Sequence, residues 1–559
     1  MSRTAEHVIT LETRSTKSAR ETVIQNAANE LVFAVVGHVG SGTTAIARTL
    51  ISLLEDQSAI GKACDVSYIK ATDLIAGWAH KRGKDVPIVP EGQKKTLSYV
   101  KTFQDLGDAM RDETNDLAAV AKAFVMQIRR ERARKLNVSA NPGEVVRPDG
   151  KFRAYVLDSI RHPAEVQLLR HIYQDAFVLI GVVCESETRA KRVAEKYRDA
   201  GKDEVEALMG RDEKAPAPHG QRVSEAFHLA DFFIDNTPNR TNEDGNPNPA
   251  WNIPEKLSRL IKIIRQEEVV RPESGETAMW HAYGAAMRSA CMSRQVGAAL
   301  VDRQGNVIAT GTNEVPRAGG GVYGEGFGLP EDLPDHRCAY RAVQGGKPFC
   351  SNTREQAEII NDLLDAVTKT KELSDEERKK IAERFRRGRI GELLEFSRAV
   401  HAEMDAILTA ARKGVTTVGT RLFVTTFPCH YCARHIVAAG IDEVQYIEPY
   451  PKSRALKLHS DSIQIVADNW TLPSSERVSS LLRSDSGRKQ PPRAPKVLFR
   501  PFAGVAPRLY RRAFLKEGEL KNAATGDFQP MQPEWGSPWH LRKLAYAELE
   551  AELSKASET

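Results

Sequence analysis

Residues 33–50 read FAVVGHVGSGTTAIARTL. A short apolar strand runs into Gly37, a loop reaches Gly42, and Thr43-Thr44 opens an apolar-periodic helix. This is the layout of a phosphate-binding loop. Its glycines permit a tight turn, and its backbone N–H groups face a helix N-terminus. Thr43 stands where that motif has a lysine. Gly37, Gly40, Ser41, Gly42, Thr43 and Thr44 are the candidate cradle residues, with Thr44 placed to reach a magnesium ion. Further apolar strands read AFVLIGVVC and ADFFIDN, and KFRAYVLDSIRHP carries another that ends at Asp158. Charged helical segments lie between them, so residues 30–240 are expected to form a parallel sheet covered by helices on both faces.

A chain of 559 residues is too long for one core. Its hydrophobic fraction of 41% and charged fraction of 28% are those of an ordinary globular protein. The net charge of +6 suits anionic substrates but is too small to indicate a nucleic-acid binder by itself. The first twenty residues lack the apolar core of a secretory signal, and no apolar run is long enough to span a membrane. A cytoplasmic protein with no membrane partner is expected. The seven cysteines fit reduced thiols, some of them metal ligands, better than a disulfide framework.

The expected organisation is a polar leader over 1–29, the first domain over 30–240, a linker over 241–275, a second domain over 276–475 and a basic extension over 476–559. The linker follows from the Asn-, Pro- and Gly-rich stretch NTPNRTNEDGNPNPAWNIP. In the second domain a helix leads to a hairpin around Arg303-Gln304-Gly305. After a charged insertion, HAEMDAILTAARKG reads as a helix, TRLFVTTF as a strand and PCHYCARHIVAAG as a second helix.

His401, Cys429 and Cys432 have the spacing of metal ligands, with Glu403 two residues from the histidine. Cys429 and Cys432 are three apart and share the first turn of a helix, whose positive end favours thiolates. Three protein ligands leave the fourth tetrahedral position open, which is the catalytic arrangement of zinc. Zinc lowers the pKa of water from about 15.7 to roughly 7. Glu403 is then free to shuttle protons. The competing arrangement is a closed knuckle completed by His430 or His435, which would leave Glu403 without a role.

The His-Ala-Glu and Pro-Cys-x-x-Cys elements match the signature of zinc deaminases. Residues from about Thr277 to Ser460 resemble the deoxycytidylate deaminase branch of the cytidine deaminase superfamily. RSACMSRQVGAALVDRQGNVIATGTNEVP resembles its N-terminal half, with Glu314 where the family has glycine. The resemblance implies an α/β/α sandwich, a Zn2+ cofactor and a deoxycytidine nucleotide substrate. It implies that Asn313 holds the sugar and that Arg412 touches the phosphate, unless Arg412 only caps its helix. It places Arg294 and Gln295 in a nucleotide-contacting turn. A second, structural zinc in this family would draw on Cys291 with Cys338 or Cys350, and on His336; the alternative is that these cysteines simply pack.

The first domain resembles a P-loop nucleotide kinase, with Asp158 as acidic partner and Arg189, Arg192 and Arg198 near the phosphates. ATP or GTP is the implied ligand. Without a cation at Thr43, binding without efficient phosphoryl transfer is expected; the alternative is a packing loop that binds nothing. The two domains together resemble the bacterial anti-phage dCTP deaminases, which implies conversion of dCTP and dCMP to uridine nucleotides in defence against phage. A small inhibitory RNA and a homo-oligomer are the partners implied. Phe499, Arg500, Phe502, Arg508, Tyr510, Arg511, Arg512 and Phe514 would stack on and neutralise such an RNA; the alternative is that they simply pack the tail onto the second domain. A housekeeping deoxycytidylate deaminase with a nucleotide-sensing domain and an RNA- or ssDNA-editing deaminase are the rival readings.

Overall fold

The computed structural model describes residues 18–56, 64–89, 95–197, 201–213, 215, 219–242, 244–266, 268–324, 335–340, 347–369, 372–450, 452–467, 470–475, 495–516, 518–529 and 543–555. Part of the expected leader (1–17), part of the expected extension (476–494) and Arg198 lie outside these residues. The chain divides into two compact units, Met1–Val270 with Arg512–Thr559, and Arg271–Arg511. It is an α/β protein in both.

In the first unit β1 (Glu30–Val36) is buried along its whole length, as its unbroken apolar sequence requires of a strand covered on both faces. It pairs in parallel with β3 (Arg153–Ile160) on one side and β4 (Phe177–Val183) on the other. β2 (Asp65–Lys70) and β5 (Phe232–Asp235) extend the sheet in parallel beyond these, giving the order β2-β3-β1-β4-β5. The loop after β1 therefore leaves the carboxyl end of a central strand, where parallel α/β sheets open a crevice. It leads into α1 (Thr43–Glu55), which buries Ile46, Ala47, Leu50 and Leu54. The other helices used below are α2 (Ala119–Leu136), α3 (Pro163–Tyr173), α4 (Ser186–Lys196), α5 (Lys202–Glu213) and α6 (Ile253–Arg265).

α6 corrects the expectation of a linker over 241–275. It buries Ile253, Leu257, Leu260, Ile261, Ile263 and Ile264 in the first unit. Each such side chain contributes about 1.5–3 kcal/mol when fully buried. The Asn- and Pro-rich stretch is only the approach to this helix, whose Pro254 sits in its first turn.

The second unit is a sheet in the order β10-β11-β9-β8-β6-β7. Its strands are β6 (Gly297–Val301), β7 (Val307–Thr312), β8 (Arg421–Thr426), β9 (Glu443–Glu448), β10 (Ile463–Gln464) and β11 (Val497–Pro501). β6 is antiparallel to both β7 and β8, and the pairings from β8 to β10 are parallel. Two glycines set the layers. A Cβ on Gly297 would lie 2.0 Å from the Ala282 carbonyl of α7 (Ser274–Ala286). A Cβ on Gly311 would lie 2.1 Å from the Ala402 carbonyl, at the start of α10 (Ala402–Arg412). Gly311 pairs across the ladder with Ala298, the neighbour of Gly297. The two glycines thus point to opposite faces, and α7 and α10 sandwich the sheet. α8 (Ser351–Thr368) and α9 (Asp375–Arg387) are inserted between β7 and α10, and α11 (His430–Ala438) follows β8.

Residues of the expected extension are built into both units. β11 joins β9 in parallel, with Phe499 and the following Phe502 buried. Arg500 pairs with Glu443 at 2.6 Å, and Tyr510 stacks on Trp280 at 5.2 Å. Arg512 pairs with Asp175, and Phe514 lies under Arg259. Packing thus engages these side chains, which is the alternative to the RNA-stacking reading. α12 (Lys543–Lys555) docks in the first unit through charge. Its buried Glu550 pairs with Arg132 at 2.6 Å and accepts from Tyr173 Oη at 2.7 Å. Arg132 also pairs with Glu30 at 2.8 Å.

Candidate active site

His401 and Cys429 each stand immediately before a helix with extended backbone. α10 is pressed onto β7 by the close approach at Gly311, and the Asp405 carboxylate accepts from the Thr312 N–H at 3.0 Å. α11 begins where β8 ends, with Pro428 before its cap. The carboxyl edge of the sheet thus brings the two helix starts together. His401 Nδ1 lies 3.3 Å from Cys429 Sγ and 3.4 Å from Cys432 Sγ. Such spacings are edges of a tetrahedron around an ion bound at about 2.0–2.3 Å by nitrogen and sulfur, so the donor set fits zinc. Among the described residues no other group of three His, Cys, Asp or Glu ligand atoms converges in this way. The closed knuckle is not formed: His430 and His435 lie outside the group.

The electrostatics suit metal-ready donors. Hydrogen bonding from Cys432 and His401, together with the His401 charge, pulls the Cys429 thiol down to about 4 against the effect of burial. Glu403 is buried beside them, and burial, reinforced by the Cys429 thiolate, pushes its carboxyl up to about 7. A carboxyl poised near neutrality can both take and give a proton.

His401, Glu403 and Cys429 line a cavity of about 350 Å³, as do Arg294 and Asn313. Asn313 is buried, donates from Nδ2 to the Arg294 carbonyl at 3.1 Å, and accepts from Ser289 Oγ at its own carbonyl. Its Oδ1 has no partner among the described residues. Glu314 accepts from the N–H groups of Ala290 and Val315, so its carboxylate holds the backbone next to Asn313. Arg294 pairs with Glu448 at 3.1 Å and lies over the Tyr450 ring.

Arg412 is not brought to this cavity. It donates to Thr409 Oγ1 at 2.7 Å and packs by Gly320. At 1.5 Å per residue the helix carries it roughly 15 Å from His401. Arg398 and Lys452 line the cavity instead, and sequence reading missed both. Arg398 stands only three residues before His401, which is the one signal that could have found it. Cys291, Cys338 and Cys350 also line the cavity as free thiols, and among the described residues they do not converge into a group of metal-ligating atoms.

In the first unit Gly40 and Gly42 have φ of 84° and 89°, a region that favours glycine. Thr44 Oγ1 and Tyr68 Oη both donate to Asp158 Oδ2, at 2.7 and 2.6 Å. Thr43 is buried and Gly37 leaves room for Ser41, whose Oγ would lie 2.5 Å from a Cβ there. Arg192 is committed to the carbonyls of Asn236 and Thr237.

Residues 272–448 match the family model described as the cytidine and deoxycytidylate deaminase zinc-binding region. The deoxycytidylate deaminase of Enterobacteria phage T2 is 30% identical over 178 residues, covering 32% of this chain and 81% of that protein. The chain belongs to the cytidine and deoxycytidylate deaminase family. It is a deaminase, a hydrolase, with a zinc-binding domain. The deoxycytidylate deaminase of Saccharomyces cerevisiae (strain ATCC 204508 / S288c) is 26% identical over 321 residues, covering 56% of this chain and 81% of that protein. Among solved structures, the dCMP deaminase of cyanophage S-TIM5 in complex with dCMP and dUMP is similar at 20% identity and a TM-score of 0.20, covering 34% of this chain and 93% of that one. No helix of the described residues is long and apolar enough to cross a membrane.

Proposed function

We propose that the protein deaminates deoxycytidine nucleotides, dCTP as well as dCMP, to deoxyuridine nucleotides and ammonia. The observation that carries this reading is the buried Glu403 carboxyl beside the His401, Cys429 and Cys432 donors, on a cavity shared with Asn313 and three cations, Arg294, Arg398 and Lys452. Zinc bound by the three donors supplies Lewis acidity toward water. Glu403 accepts a proton from the attacking water and passes it to the ring nitrogen; a second proton leaves with the departing amino group as ammonia, so the ring carbon exchanges nitrogen for oxygen. The unpartnered Oδ1 of Asn313 is an acceptor for a sugar hydroxyl. Three cations among the residues lining the cavity favour a substrate with more than one phosphate.

In this reading the first unit binds ATP or GTP at Gly37–Thr44 and regulates the deaminase, and dCTP depletion in the cytoplasm limits phage replication. Ammonia release from dCTP, dCMP and deoxycytidine, measured with the purified chain, tests the substrate. Cellular dCTP pools during infection, with wild type and Glu403→Ala, test the physiology. Turnover of dCMP alone, with unchanged dCTP pools, would favour the housekeeping reading.

A further inference from the structure

The loop that starts at Gly37 is already occupied by a carboxylate of its own chain. The Val39 N–H donates to Asp212 Oδ2 at 2.7 Å. Arg161 donates to Asp212 Oδ1 at 2.8 Å and to the Gly37 carbonyl at 3.2 Å. Asp212 is 1% exposed. Burial pushes its carboxyl up, against Arg161, the Val39 N–H and Arg189, so its negative charge is costly to hold there.

A second guanidinium at the loop lacks acceptors. Arg189, on α4, is 6% exposed and makes one ion pair, from Nη2 to Glu213 at 3.3 Å. Its Nε and Nη1 have no partner among the described residues. Its backbone presses on the loop: a Cβ on Gly40 would lie 2.7 Å from the Arg189 carbonyl. Ser41 Oγ is likewise buried in the loop without a partner among the described residues. Buried donors left unmade are expensive, the more so when charged. Lys196, on the same helix, is an exposed cation that interacts electrostatically with Asp158 and Lys95. Loop, guanidinium and hydroxyl together want an anion larger than one carboxylate, with several acceptor oxygens.

We propose that Arg189 takes the place of the lysine absent at position 43, and that Asp212 holds the loop until the polyphosphate chain of a nucleotide displaces it. This rests on the nucleotide-binding reading of the first unit. Asp212 lies near the end of α5, whose Val205, Leu208 and Met209 pack with Val193 of α4 and against Val39 of the loop. Displacement of the carboxylate therefore acts directly on α5, which gives the site a way to signal its occupancy.

Titration calorimetry of the full chain with magnesium tripolyphosphate, ATP and GTP tests this. Wild type is expected to bind. Arg189→Gln is expected to weaken binding at least tenfold, Arg189→Lys to stay within a few-fold of wild type, and Asp212→Asn to tighten binding at least fivefold. Wild-type binding that Arg189→Gln leaves unchanged, or that Asp212→Asn fails to tighten, overturns this proposal and leaves the nucleotide-binding reading standing. No binding of any probe to wild type or to folded Asp212→Asn removes both. Thermal melting checks that each variant is folded; if Asp212→Asn is not, the Arg189→Gln and Arg189→Lys pair decides alone.

Discussion

Asn313 gives its side-chain N–H to the Arg294 carbonyl at 3.1 Å, keeps a buried Oδ1 without a partner among the described residues, and lines the cavity that holds Glu403. One half of the amide is fixed by the protein, so the other half is held in place for a ligand. Asn313→Ala is expected to lower kcat/KM on deoxycytidine nucleotides by roughly ten- to a hundredfold, in line with about 1–3 kcal/mol for an unmade buried hydrogen bond. Steady-state kinetics on dCMP and dCTP check this. Kinetics like wild type would mean that the sugar is held elsewhere.

The cavity cations carry a separable expectation. Arg398→Gln and Lys452→Gln should raise KM for dCTP more than for deoxycytidine, because each removes a charge that only the phosphates use. Arg412→Glu should leave the ratio of the two unchanged, since Arg412 is bonded to Thr409 away from the cavity. A loss of dCTP preference confined to Arg412→Glu would restore that residue to the phosphate site.

Glu550 and Arg132 form a fully buried ion pair that ties α12 into the first unit. Glu550→Ala leaves Arg132 with Glu30 as its remaining carboxylate partner and takes the acceptor from Tyr173 Oη, so it should destabilise this unit by about 1–3 kcal/mol. Urea unfolding, followed separately from zinc release, measures the loss. An unchanged midpoint would show that α12 is not held by this network.

His38 gives a pH dependence. Its ring lies 3.0 Å from Ser224 Oγ, and burial, with Arg189 and Arg161 nearby, lowers its pKa from 6.5 to about 3. The folded state therefore holds it neutral while the unfolded chain protonates near 6.5. Its contribution is present above pH 6.5 and is lost as pH falls from there toward 3. Between pH 7.5 and 5 the first unit should lose less stability in His38→Gln than in wild type. Equal losses would assign the acid sensitivity to other groups.

What the sequence disclosed was mostly local. The apolar run of β1 and the three-residue spacing of Cys429 and Cys432 are properties of short windows, and both structures are where those windows place them. α6 was hidden because its amphipathic stripe begins just after a stretch dominated by turn residues. Arg398 and Lys452 reach the cavity from the insertion and from the exit of β9, and no local pattern connects them. Arg412 was singled out by resemblance alone, and it sits at the far end of α10, off the cavity that holds Glu403. Phe499 alternates with arginine in sequence, which leaves stacking on RNA and packing both open; strand pairing with β9 puts it in the core.

The central claim is that Glu403 moves protons and does not hold the metal. Zinc content and turnover of dCTP and dCMP, determined on the same preparations of wild type and Glu403→Ala, test it most directly. The account predicts about one zinc per chain in both proteins and a loss of turnover of about 10²–10⁴-fold in the variant. Loss of zinc from Glu403→Ala, or turnover that survives the substitution, would contradict it.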